Sequence, residues 1–315
     1  MKRLASCTLV VAALVSAFSS CASDDGANVR GTSCGASSGS GSASGSGSGA
    51  GSGSCASSGS GISNQGSTDN VKVNEAVAAY DQWVRDQIDG LLEKTKVFTD
   101  AVRANDVAAA KAAFAPSREN WEAIEPIAGL VPDIDGAVDS RVDDFASVND
   151  PKFTGWHRLE YLLWEKGTTD GGTPFADELD AELMKLKTEF AKVKLTPIAV
   201  AQGSAELIEE VSEGKITGEE DRYSHTDLWD FAANVAGAEK AFELLKPAVN
   251  AADADLAADL ESDFDDIDAA LAKYEEGEGY QSYEALSKAD KGDMQAILGS
   301  LSENLAKVPG VLKLG

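Results

Sequence analysis

VKVNEAVAAYDQWVRDQIDGLLEKTKVFTDAVR, residues 71–103, decides the fold class. Val77, Tyr80, Val84, Ile88, Leu91, Leu92 and Val97 recur mostly at spacings of three and four. That is the period of an amphipathic helix and not the alternation of a strand. The same reading extends outward. Asn105-Asp106 turns the chain into a second helix, interrupted by Pro116 and continuing through Trp121 to Ile127. An irregular acidic loop is expected from Gly129 to Pro151, and then a short helix that stops at Gly167. Asp170-Gly171-Gly172 is a turn, and Phe175 to Val211 is a long helical stretch broken or kinked at Pro197. Lys215 to Asp221 forms a link. Tyr223 to Leu245 is helical and stopped by Pro247, and Ala252 to Glu276 and Gln281 to Val308 finish the chain. No alternating apolar run is long enough for a strand. The expected fold is all-α, two fused four-helix-bundle-like halves.

Before this core lie two segments of other character. Residues 1–20 read as a signal peptide: Lys2 and Arg3 precede an apolar run from Leu9 to Ala17, too short to span a bilayer as a helix. Phe18-Ser19-Ser20-Cys21 places small residues directly before a cysteine and is similar to the lipobox of bacterial lipoproteins, with Phe18 where Leu is usual. Cys21 is therefore the expected lipidation site. Residues 21–70 are mostly Gly, Ser and Ala, a composition that buries nothing and predicts a disordered linker. As a coil of about 50 residues it would span roughly 40 Å. Cys34 and Cys55 lie inside it, with nothing nearby to hold them together, and the folded part has no cysteine.

The formal charge is −26. Lys2, Arg3 and Arg30 cancel Asp24, Asp25 and Asp69, so the excess belongs to residues 71–315. Such a field repels nucleic acid and other polyanions and attracts cations. Most of these acids read as a solubilising coat, and only carboxylates on apolar faces need another explanation.

Phe153-Thr154-Gly155-Trp156-His157-Arg158-Leu159-Glu160-Tyr161-Leu162-Leu163-Trp164-Glu165 holds the first of them. Trp156, Leu159 and Leu163 share one face, and His157, Glu160, Tyr161 and Trp164 the next, so the helix is apolar nearly all round and expected to be buried. A buried Glu160 must be paired, hydrogen-bonded or bound to a metal. It either ligates directly or holds the His157 imidazole, and a plain core pair satisfies the same spacing. Glu122 and Glu125 also project together, and Pro126 removes the N–H that the Glu122 carbonyl would meet in a helix. A distorted helix end with two carboxylates suits an oxygen-rich cation site, or is simply a solvated last turn. Asp139 and Arg141, in an aspartate-dense loop without the EF-hand pattern, offer a ligand and a counter-charge. His225 reads either as support for a ligand or as a residue near a helix start.

Gly155-x-His157-x-x-Glu160 resembles the GxHxxE signature of the imelysin-like family. Residues 120–122, 125–135 (EPIAGLVPDID) and 215–228 (KITGEEDRYSHTDL) resemble its EfeO-type iron-uptake branch. The resemblance covers essentially all of residues 71–315 and implies a helical iron-binding domain. It further implies a metal site formed by Glu122, Glu125, Asp139, His157 and Glu220, with Glu160 beside the histidine and Glu219 the substitute if Glu220 faces away. The implied partners are a membrane iron permease and a haem peroxidase, and the implied place is the outer face of the cytoplasmic membrane. Only signal and linker precede residue 71, which resembles the short EfeM form and implies no cupredoxin copper site.

One imidazole among carboxylates, with no thiolate, suits iron in either oxidation state or another hard divalent ion better than copper(I) or structural zinc. The paired Glu-x-x-His motifs of di-iron bundles are missing. Affinity should fall as pH drops, because crowded carboxyls hold protons until a cation arrives. The family is also described as peptidase-like. A metal-dependent peptidase is the rival reading, but HExxH is absent and no catalytic residue is assigned.

Overall fold

The computed structural model describes residues 66–314. The signal segment, most of the linker, Cys21, Cys34 and Cys55 lie outside the described residues. The architecture is all-α, as expected. Helix α1 (Val71–Arg103) starts where the Asn70 side chain accepts from the Lys72 and Val73 amides. Its buried stripe runs through Val77, Tyr80, Val84, Ile88, Leu91, Thr95, Phe98 and Val102. Val97, read as a core position, is instead 63% exposed. Each residue turns the helix by about 100°, so Phe98 takes the place that the 3.6-residue period assigns after Leu91 and Thr95.

Helix α2 (Val107–Ile124) is capped by Asp106, whose side chain accepts from the Ala109 amide at 2.9 Å. Pro116 does not interrupt it; the helix runs through the proline, losing one N–H rather than its course. A 3₁₀ segment, Glu125–Leu130, follows. The supposedly irregular acidic loop contains helix α3 (Pro132–Val138), with proline at its start and Asp133 and Asp135 in its first turn. Those are favourable at a helix N-terminus. Helix α4 (Gly155–Glu160) passes into a π-turn at Tyr161–Glu165.

The stretch around Pro197 is fully broken. Helix α5 (Thr173–Phe190) ends well before α6 (Pro197–Glu213), which Thr196 caps and Pro197 opens. Helix α7 (Asp227–Ala252) begins later than expected and continues through Pro247. Helices α8 (Ala254–Leu271), α9 (Lys288–Leu305) and α10 (Val308–Leu312) complete the chain. A two-residue antiparallel ladder pairs Glu275 with Tyr280 and Glu276 with Gly279; no apolar alternation announced it.

Two four-helix rings emerge from the packing. In one, α1 meets α2, α2 meets α4, α4 meets α5 and α5 returns to α1; in the other, α6, α7, α8 and α9 close in the same way. Helix α2 packs across α7 and joins them. Gly237 on α7 makes that crossing close, since a Cβ there would lie 2.0 Å from the Ala123 carbonyl oxygen. Among the described residues no helix is long and apolar enough to cross a membrane.

Candidate metal site

Four segments deliver charge to the seam between the rings: the end of α2, the end of α3, helix α4, and the turn from Lys215 into α7. Gly155 fixes one of these junctions. Its φ is +74° and a Cβ would stand 2.0 Å from the Val138 carbonyl oxygen, so only glycine lets α4 lie against the end of α3. That contact sets His157 beside Asp139. His157 is 2% exposed and Glu160 is fully buried.

Glu160 is saturated. Its Oε1 accepts from the Tyr223 amide (2.9 Å), the Ser224 amide (2.7 Å) and Ser224 Oγ (2.9 Å), while Oε2 is 3.1 Å from His157 Nδ1. It thus holds the imidazole and turns Nε2 the other way. Nε2 lies 3.5 Å from Asp139 Oδ1 and 3.8 Å from Glu220 Oε1, and among the described residues it has no hydrogen-bond partner. Asp139, His157 and Glu220 each offer an atom within 4.8 Å of the others, and so do His157, Glu160 and Asp221. Ligands bonded at about 2.0–2.6 Å around one ion can stand up to about 4.0–5.2 Å apart, so these atoms are close enough to share one.

The carboxylates are not alone. Arg118 is fully buried, stacked over the Trp156 ring, and donates to Glu122 Oε1 at 2.5 Å, to Asp230 Oδ2 at 3.3 Å and to Asp139. Lys215, 1% exposed, donates to Glu122 Oε2 (3.1 Å) and Glu125 Oε2 (2.7 Å). Arg141 donates to Glu220 Oε2 at 2.8 Å. Glu122 also has Asn234: its Nδ2 donates to Glu122 Oε2 and to the Glu122 carbonyl, each at 3.0 Å. Pro126 denies that carbonyl its usual i+4 amide, and it accepts instead from the Glu125 amide and from Asn234 of α7. Trp121 Nε1 donates to Asp139 Oδ2 at 2.9 Å.

The six residues expected from sequence are thus brought into one cluster, in two portions. Asp139, His157, Glu160 and Glu220 surround the imidazole; Glu122 and Glu125 meet around the Lys215 ammonium, and Glu220 touches both. Glu219 is exposed and stays outside. Arg222 pairs with Asp143 at the surface, and Arg158 lies 4.8 Å over the Phe175 ring, so neither neutralises the cluster. His225 has a left-handed backbone, φ 59°, and its carbonyl accepts from the Tyr283 amide. An open cavity of about 730 Å³ leads in, lined by Glu125, Asp135, Asp139, Arg141, Glu210 and Glu220 among others.

The sequence model of the imelysin family (peptidase M75) matches residues 76–308. The chain belongs to the imelysin family. The chain is 47% identical over 239 residues to the iron uptake system component EfeO of Yersinia pseudotuberculosis serotype I and to that of Yersinia pestis. It is 44% identical over 240 residues to the protein of that name from Escherichia coli O1:K1. Each match covers 76% of this chain and 64% of the relative. These relatives carry the name of an uptake component rather than of an enzyme.

Several buried polar and charged members of the cluster were not singled out from the sequence. Asp227, Asp230 and Asn234 are fully buried on α7; their spacing of three and then four puts them on one face. Polar residues at helical spacing among buried Leu228, Phe231 and Val235 were the available signal. Lys215 carried none, since a lysine beside Gly and Glu reads as surface.

Burial raises Asp221 to about 8 and Asp227 to about 6, and it holds Asp230 and Glu125 well above the usual range despite Arg118 and Lys215. Burial also acts on Glu220, but Lys215, His157 and Arg141 outweigh it and hold that group at about 2. For His157, burial and Arg118 oppose the charge, yet Asp139, Glu160 and Glu220 prevail and keep the imidazolium well above its ordinary range. Groups with raised folded-state pKa stabilise fully below their unfolded values, and this contribution is lost as pH rises. With Asp221 falling from full effect below 3.8 to none above about 8, the chelator-treated protein should melt higher at pH 5 than at pH 8.5. A Tm that rises over this interval would contradict the assignment.

Proposed function

We propose that this protein is the exported iron-binding component of a bacterial iron-uptake system, held at the outer face of the cytoplasmic membrane by a lipid on Cys21. It captures iron and passes it to a membrane permease, with a haem peroxidase as the further partner. The observation that carries this reading is the buried His157 Nε2 with Asp139 and Glu220 inside one ion's reach. The relatives named as iron uptake system components supply the cargo. Carboxylates outnumber the cations among the buried groups, and a positive ion offsets that excess. Asp139, His157 and Glu220 are the proposed ligands, with Glu122 and Glu125 completing the shell and Glu160 orienting the imidazole. A mostly oxygen shell with one nitrogen suits iron as cargo or another hard divalent ion. The acidic entrance favours free hydrated cations over anionic chelates.

The test is metal analysis of protein purified without chelator or affinity tag, followed by anaerobic ferrous and aerobic ferric titrations. Iron bound at about one equivalent supports the reading; no retained or added iron sinks it. Casein incubated with the metal-loaded protein addresses the peptidase alternative, and its cleavage would replace the uptake reading.

Anchoring has its own check. Cys21→Ala should move the exported protein from the membrane pellet to the soluble fraction, followed by immunoblot. A variant that stays with the membrane removes the lipid anchor from the proposal.

A further inference from the structure

The Lys215 ammonium stands where carboxylates converge. Nζ is 2.7 Å from Glu125 Oε2, 3.1 Å from Glu122 Oε2 and 3.8 Å from Glu220 Oε1. The side chain is 1% exposed, although the neighbouring Gly214 and Glu125 line the open cavity. Glu220 Oε1 is equally 3.8 Å from His157 Nε2, so one carboxylate serves both the ammonium and the imidazole. A cation drawing on Glu122, Glu125 and Glu220 together would meet this charge.

We infer that Lys215 is a built-in competitor for the cation: its ammonium holds the Glu122–Glu125–Glu220 portion of the cluster, and cargo takes those carboxylates by driving the lysine out into the acidic cavity. This rests on the proposed function. Two like charges cannot share so few oxygens at low dielectric without large repulsion. The backbone of the turn gives little. Tyr283 Oη donates to the Ile216 carbonyl at 2.7 Å, and Gly218, at φ +83°, lies so close that a Cβ would stand 2.1 Å from the Tyr283 ring. The movement therefore falls to the lysine stem, whose rotatable bonds allow it. Outside, Glu210 and Glu213 line the cavity and can receive the displaced ammonium. The consequence is tempered affinity. Glu122, Glu125 and Glu220 keep a counter-charge without cargo although the cluster as a whole stays acidic, and each binding event is opposed by the contacts Lys215 gives up, which favours release to a transport partner.

The experiment compares the full mature chain with its Lys215→Met variant by anaerobic equilibrium dialysis against ferrous iron, alongside melting curves in chelator. The expected result is iron binding at least tenfold tighter in the variant, with a lower Tm in chelator and a larger rise in Tm on adding iron. Equal or weaker iron binding by the variant overturns the inference and leaves Lys215 a structural ion-pair partner. A second measurement uses the wild type alone: acylation of amines, mapped by peptide mass spectrometry, should spare Lys215 in chelator and label it with iron. Lys215 protected in both states overturns the inference even where the variant does not fold. Absence of iron binding by the wild type would remove the proposed function and the inference together, whereas normal wild-type binding with an unaltered variant removes the inference alone.

Discussion

Arg118→Met should lower stability by about 3–5 kcal/mol, the cost of stripping one partner from a buried charge network. For a domain of this size that is a fall in Tm of roughly 6–20 °C, at about 2–4 °C per kcal/mol. Methionine keeps much of the volume against Trp156 and Phe114. The loss is therefore the guanidinium, which serves Glu122, Asp139 and Asp230 directly and lies 3.6 Å from both Glu220 and Asp221. The deficit should shrink at pH 5, where the orphaned carboxyls take up protons. Melting curves at pH 5 and pH 8 check both parts. A Tm within about 2 °C of wild type at pH 8 would mean that the acids reorganise without their arginine.

His157→Ala should weaken iron binding at least tenfold, a loss of about 1.4 kcal/mol or more, while helix content by circular dichroism stays nearly unchanged. The imidazole has the only nitrogen in the proposed shell, and Glu160 holds it through Nδ1 at 3.1 Å. Removing it takes away a ligand and leaves Glu160 with the Tyr223 and Ser224 donors it already has. The ring is also buried, so some stability is lost as well. The two readings of His-x-x-Glu separate here: a variant that binds iron normally but melts much earlier identifies the pair as core structure. Trp121, bonded to Asp139, offers a fluorescence signal for the same titration.

Two pairs in the candidate site were legible from spacing, and the full set was implied only by the family resemblance. Residues three apart on a helix project together, so His157 with Glu160, and Glu122 with Glu125, were paired before any tertiary contact was known. Pro126 marked the Glu122 carbonyl as lacking its i+4 donor, and the structure serves it with the Glu125 amide and with Asn234 from α7, a partner 112 positions away. Gly155 shows the opposite case. Its place in the GxHxxE pattern could be read, but its reason, the Val138 carbonyl pressed against its α-carbon side, belongs to packing.

The sequence by itself determined the helical class, the faces of the long helices and the excess of acid, because hydrophobic period and net charge are local or additive properties. It misplaced Val97, interrupted a helix at Pro116 and stopped another at Pro247, because one residue of rotation, or one lost N–H inside a packed helix, is settled by neighbouring surfaces. Only the tertiary structure decided which charges meet. Arg118 is an ordinary helical arginine in the chain and the fully buried centre of the cluster in the fold; Lys215 lies in an acidic turn and reads as solvated, yet is held between Glu122 and Glu125. Whether a long charged side chain faces water or the interior turns on what the opposing helices present, and that information is spread from α2 to α7 rather than written beside the residue.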